Sequence, residues 1–239
     1  LTDTGETPIF NPVAFESEGD YYHKNKKAIA DTVASEMRRF KESGVDLSHF
    51  LSLSKIETYS KIGVYLAKYY SNSKYEERIL TAIIASAHSP RIAVDYVCNC
   101  SDSSLSEVYM AIEYLRKEHY ADEFFVAFIA VLPFDEKSQP YIRELPGESA
   151  KKYWSYFKRY QLNNKDLLNE AIMNLLKYSN WEILYLVMRE HETMLSVDEI
   201  LTIVSDSTKK MIIENHTISN NEAYDIEEML SIVYKRIDN

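Results

Sequence analysis

Three of the chain's six prolines and one of its five glycines fall within one stretch, Leu132 to Tyr160. Pro133, Pro140 and Pro146 each remove a backbone donor and crowd the preceding helical turn, so no continuous helix can run through it. On either side, apolar residues recur at spacings of three and four, the period of one helix face. The stretch therefore reads as an irregular joint, residues 133–147, between two helical arrays. The organisation expected is an extended leader over 1–18, an N-terminal array over 19–132 and a C-terminal array over 148–239. One continuous domain is the alternative.

Ahead of the joint, Ile29, Val33, Met37 and Phe40 mark a helix from Asp20 to about Glu42, and Gly44 follows its last turn. Shorter helices are expected over 45–53, 58–70, 75–87 and 90–101, the last opened by Ser89 and Pro90. Ser104 and Glu107 have capping-box spacing ahead of another. Residues 122–132 are apolar almost all round, which predicts a buried helix. After the joint, helices are expected over 148–160, 165–178 and 181–192. Ser196 with Glu199 then opens a helix to Val204, followed by a short one over 209–214 and a last one over 222–236.

Sheets and phosphate-binding loops need glycine at tight turns. The five glycines stand apart, so neither a P-loop nor a dinucleotide fingerprint can be written. Short amphipathic helices with short links give an all-α expectation. Its two forms are a right-handed α-solenoid of helix pairs, as in tetratricopeptide (TPR) and HEAT arrays, or an irregular helical bundle. The best internal match sets Asp166–Tyr178 against Asp198 onward, close to the tetratricopeptide period of about 34 residues, though that family's signature positions are not met.

The motifs argue against chemistry. His191-Glu192 begins like a zinc-peptidase helix, but Leu195 stands where the second histidine belongs. Cys98 and Cys100 have one residue between them and no second cysteine pair to complete a zinc site. They read as small packing residues, and with no disulfide framework they fit a reducing cytoplasm. No catalytic residue, cofactor site or metal site is assigned. The net charge of −10 opposes binding to nucleic-acid phosphates and anionic membranes. Lys151, Lys152, Lys158 and Arg159 form a local basic face, as do Lys24, Lys26, Lys27, Arg38 and Arg39. The longest apolar run, Phe124 to Pro133, is too short to cross a bilayer.

Nineteen tyrosines favour interface work, because the ring buries while the hydroxyl bonds. Tyr153, Trp154, Tyr156 and Tyr160, just after the joint, are the residues expected to meet a protein partner. The passage VLPFDEKSQPYIRELPGESAKKYWSYF and the leucine-rich helices of 166–204 resemble the helical-repeat C-terminal region of large bacterial multi-domain proteins. In some of these, an effector and a STAND-type nucleotide-driven switch precede an array that senses a phage protein. The resemblance implies an anti-phage sensing role and transfers no site residue. Leu1 in place of an initiator methionine fits a fragment of such a protein. The expected function is a non-catalytic protein-binding or target-sensing array whose partner is a phage or other foreign protein. The rivals are a helical-bundle enzyme holding a metal on clustered carboxylates, and a nucleic-acid-binding array on the basic faces.

Overall fold

The computed structural model describes residues 19–44, 46–48, 51, 62–86, 90–101, 104–157, 162 and 164–238, the side chains of residues 19–30 excepted. The leader, Ser89, Tyr160 and most of the helix expected over 45–53 lie outside the described residues. The chain is all-α, with no strand among the described residues. It forms two compact units, Leu1–Phe128 and Ile129–Asn239.

In the first unit, α1 is Gly19–Glu42, and α2, Ile62–Tyr65, runs on as a π-turn over Leu66–Tyr70. Then come α3 (Glu77–Ser86), α4 (Pro90–Cys100), α5 (Ser106–Lys117) and α6 (Asp122–Ile129), which reaches the boundary. Helix α2 lies close on α4. A Cβ on Gly63 would stand 2.8 Å from the Tyr96 backbone nitrogen and would also strike the Ile92 carbonyl. Only glycine lets these two backbones come so close. The π-turn is closed by Lys41 of α1, whose ammonium donates to the Tyr70 carbonyl at 2.7 Å and sits over the Tyr70 ring.

Two expectations fail in this unit. Leu105 occupies the N-cap of α5 with φ 58° and no side-chain cap, so the box expected of Ser104 does not form. The Ser106 hydroxyl instead donates to the Glu107 carboxylate at 2.8 Å. Helix α6 stops at Ile129, short of 132. Pro133 has no N–H to give to the Ile129 carbonyl, and Leu132 closes a tighter turn onto that oxygen at 3.0 Å.

The second unit begins with the predicted joint, which is core rather than linker. Phe134 packs edge-on against Trp154 and Phe157, with ring centroids 5.6 and 5.2 Å apart. Ser138 is fully buried; its hydroxyl donates to the Pro133 carbonyl at 2.6 Å and accepts from Asp135 N–H at 3.1 Å. The segment also holds a five-residue helix, α7 (Gln139–Arg143), with Pro140 in the first turn where no donor is lost. Next are α8 (Gly147–Ser155), α9 (Lys165–Lys177), α10 (Trp181–Glu190), α11 (Val197–Ile213) and α12 (Asn220–Ile237).

Helix α11 joins what the sequence divides at Ser205–Thr208. Ser207 is fully buried, donates to the Val204 carbonyl at 3.0 Å and lies 2.7 Å from the Tyr185 hydroxyl. Thr208 also donates to Val204. The polar run is thus satisfied within the helix, and its hydroxyls supply no break. Both Ser196–Glu199 and Ser219–Glu222 form capping boxes, the second starting α12 two residues earlier than predicted.

Polar ties fix how these helices run. Lys165, the first residue of α9, bonds Glu199 in the first turn of α11, and Lys210 near the end of α11 donates to the Leu176 and Lys177 carbonyls at the end of α9. So α9 and α11 are parallel. Arg189 near the end of α10 meets Asp225 and Glu228 of α12, while Arg236 reaches the Glu192 and Leu195 carbonyls beyond α10. His216, just ahead of α12, lies edge-on to Trp181 at the start of α10. So α10 and α12 are parallel too. Helices α9 and α11 end alike, in left-handed residues Ser179 (φ 58°) and Asn215 (φ 52°), each followed by an N–H that reaches back five residues. His119 does the same after α5. These Schellman endings use serine, asparagine and histidine in place of glycine, which is how a chain with so few glycines stops its helices.

Candidate functional site

The aromatic residues predicted to meet a partner divide. Tyr153 and Trp154 are 3% and 1% exposed and stack edge-on, with centroids 5.2 Å apart, inside the Phe134–Phe157 cluster. The joint folds back and covers the face that the sequence left open, so both are buried in this chain. Burial raises the Tyr153 hydroxyl pKa well above its ordinary value. Tyr156 is 63% exposed, at the C-cap of α8. The helix ends there, so the stripe drawn through Phe157 and Tyr160 does not continue as helix through Phe157.

Beside this cluster lies a groove of about 550 Å³ along the outer face of α9, lined by Asp166, Asn169, Glu170, Met173, Asn174 and Lys177. Helix α9 forms because Asn164 caps it, its side chain accepting from Asp166 and Leu167 N–H, while Leu167, Leu168, Ala171, Ile172 and Leu175 supply the buried stripe. The opposite face is then left to solvent. Met173 is 70% exposed at its centre. Glu170 is held by Arg143 at 2.7 Å and by Gln139 at 2.8 Å, so α7 braces the groove. The lining runs from an acidic end at Asp166 to a basic end at Lys177, with two amides, the Glu170 carboxylate and Met173 between. Sequence reasoning missed this groove. The signal was a lone methionine on the polar side of an otherwise regular amphipathic helix.

Unit two carries a second surface. Of the eleven exposed large apolar residues described, eight lie between Leu201 and Ile237. On α12, Leu230, Tyr234 and Ile237 share one flank, away from Arg189 of α10; on α11, Leu201 and Ile212 share the flank away from α9.

Several ionisable groups of this unit are held in contacts between elements. Lys165 at 2.7 Å, with the Ser196 backbone N–H, holds the Glu199 carboxyl down to about 2. Burial pushes the Glu222 carboxyl up, but the Ser219 backbone N–H and His216 at 3.0 Å outweigh it and leave it lowered. Asp225, almost wholly buried, is paired with Arg189 at 2.7 Å. Among the described residues no group of three His, Cys, Asp or Glu is placed to hold a metal ion. Burial raises the Cys100 thiol, whose sulfur lies 3.7 Å from Ser71 Oγ, so it is no ready nucleophile. His191 is the C-cap of α10, ahead of a 3₁₀ turn over Glu192–Met194. Lys151 and Lys152 are exposed on α8, and Arg38 and Arg39 on α1. Lys158 and Arg159 lie outside the described residues, as do the side chains of Lys24, Lys26 and Lys27. No helix among the described residues is long and apolar enough to cross a membrane.

Comparison of the chain with protein-family models, with curated proteins and with solved structures finds no match.

Proposed function

We propose that the chain is a non-catalytic protein-binding or target-sensing helical array, and that α9 bears its recognition groove. The observation that carries this is Met173: a large apolar side chain, exposed at the centre of an open groove whose rim offers amides and both signs of charge. An apolar anchor ringed by polar groups is the usual composition of a recognition patch. All six lining residues belong to α9, so a partner segment supplies the facing side. Its complement is an amphipathic segment with a basic residue toward Asp166, an apolar residue over Met173 and an acidic residue toward Lys177.

Stacked helix pairs, the solenoid form, suit the second unit. Two antiparallel hairpins, α9/α10 and α11/α12, lie in parallel register. The ties that fix them span 33 to 44 residues, a range that takes in the tetratricopeptide period of about 34. The sequence resemblance extends the proposal: a segment of a larger bacterial defence protein, acting in the cytoplasm, whose target is a phage or other foreign protein.

Titration calorimetry with purified candidate phage proteins tests the groove. A partner that binds the wild-type chain is expected to bind Met173→Asp at least about tenfold more weakly, with unchanged circular dichroism. Equal binding by the two would exclude the groove, and failure of every candidate to bind would count against the sensing role.

A further inference from the structure

We infer that, where no target is bound, the α9 groove is occupied by α9 of a second copy of this chain, packed antiparallel about a two-fold axis. The inference rests on the groove reading above and names the occupant. The complement of the groove runs basic, apolar, acidic from its Asp166 end. Helix α9 read backwards supplies that order in Lys177, Met173 and Asp166, all three exposed.

The whole lining is symmetric under that reversal. With the axis at the level of Ala171 and Ile172, Asp166 faces Lys177 of the copy, Asn169 faces Asn174 and Glu170 faces Met173, so the six lining residues find their counterparts among themselves. Each end then sets a carboxylate against an ammonium. Asn174 donates to the Glu170 carbonyl of its own helix at 2.9 Å, which leaves its amide oxygen to accept from Asn169 of the copy. The two Met173 side chains lie three residues apart along the pair, about 4.5 Å, and so reach each other across the axis.

Charge favours this occupant. The chain carries −10 overall, so two copies repel unless the contact is locally neutral. This strip is neutral: Asp166 and Glu170 are balanced by Lys177 and by Arg143, which holds Glu170 at 2.7 Å. A partner carrying one sign of charge would be repelled at one end of the groove. The reversed helix meets opposite charge at both ends.

The contact is small. Helix α9 has 13 residues, which makes it about 20 Å long and about 10 Å wide. Two such helices bury roughly 600–800 Å² in total, below the range of stable interfaces. A weak, reversible pair, half formed on the order of 0.1–1 mM, is the expected result, and a tighter-binding target displaces it.

Carbodiimide crosslinking of the intact chain, read by mass spectrometry, tests this, because the reagent joins a carboxylate to an amine without a spacer. Within one helix Asp166 and Lys177 are 11 residues apart, about 16 Å, so a bond between them comes from two copies. That product is expected near 1 mM chain, about the upper end of the expected midpoint. Asp166→Lys and Lys177→Asp each set like charges together at both ends, and each should weaken the pair at least about tenfold in sedimentation equilibrium. An equimolar mixture of the two variants puts opposite charges back at both ends. It should recover association to within about threefold of the wild-type chain, which a folding defect could not do. A wild-type chain that yields no Asp166–Lys177 product would overturn the inference, as would a mixture that associates no better than either variant alone. Neither result involves a target, so the calorimetry with phage proteins still decides the groove itself.

Discussion

The two units solve the same packing problem by different means. In the first, helices approach through shape: Gly63 lets α2 lie on the α4 backbone, and neutral hydroxyls tie elements together, as Tyr114 does to Thr81 at 2.7 Å and Tyr96 to Glu76 N–H at 3.1 Å. Among the described residues of this unit, ion pairs such as Arg78–Glu76, Arg91–Asp95 and Lys117–Glu118 join residues at most four apart, and the charged tie across helices is Lys41 on the Tyr70 carbonyl. In the second unit, charge spans the fold. Arg143–Glu170, Lys165–Glu199 and Arg189–Asp225 link residues 27, 34 and 36 apart. The lesson is one of register. Apolar stripes allow two helices to slide, whereas a lysine on a particular carbonyl or an arginine on a buried carboxylate allows one alignment.

Substitutions at the key contacts should separate the units, read by hydrogen exchange resolved along the chain. The largest effect is expected from Trp154→Ala, which empties the centre of the Phe134–Phe157 cluster and should cost about 3–5 kcal/mol, with protection lost in the second unit. Next comes Gly63→Ala, where the new methyl meets backbone on two sides; about 1–3 kcal/mol, felt in α2 and α4, is expected. Arg189→Ala should follow at about 1–2 kcal/mol, since it strands the Asp225 carboxylate while Arg189 itself is partly exposed. If Gly63→Ala proved neutral, the shape argument for the first unit would fail.

The smallest effect concerns pH. Glu199 and Glu222 both have lowered carboxyl pKa values in the fold. A lowered folded value gives stability that is complete above the unfolded pKa, near 4.3, and is lost as pH falls through the folded one. For Glu199 the loss runs from about 4.3 down to about 2. Urea titrations at pH 3 and pH 7 should therefore show a shallower acid loss for Glu199→Gln than for the wild-type chain, by under about 1 kcal/mol for so exposed a pair.

Much of the fold was legible in the chain. The helices around Ile79, Val97 and Ile112, and α9 with its stripe of Leu168, Ile172 and Leu175, follow from spacing alone, and the buried positions match that period. What spacing could not show was where the joint goes. Three prolines say that a helix stops, not that Phe134 will fold back over Trp154. That is why Tyr153 and Trp154 looked available and are not. The break drawn at Ser205–Thr208 failed for a related reason: hydroxyls that signal a turn in isolation also bond back to their own helix once Tyr185 buries one of them. Of the three described aromatic residues expected at the site, Tyr156 is exposed while Tyr153 and Trp154 are buried, and the structure adds Met173, which no pattern of aromatics pointed to.

The contrast between shape and charge is tested most directly by backbone protection measured in both units of the wild-type chain at pH 7 and again at pH 3, each corrected for intrinsic exchange rates. Protection in α9 to α12 should fall at pH 3 while that in α2 to α5 holds. Equal losses in the two, or an earlier loss in the first, would contradict the account.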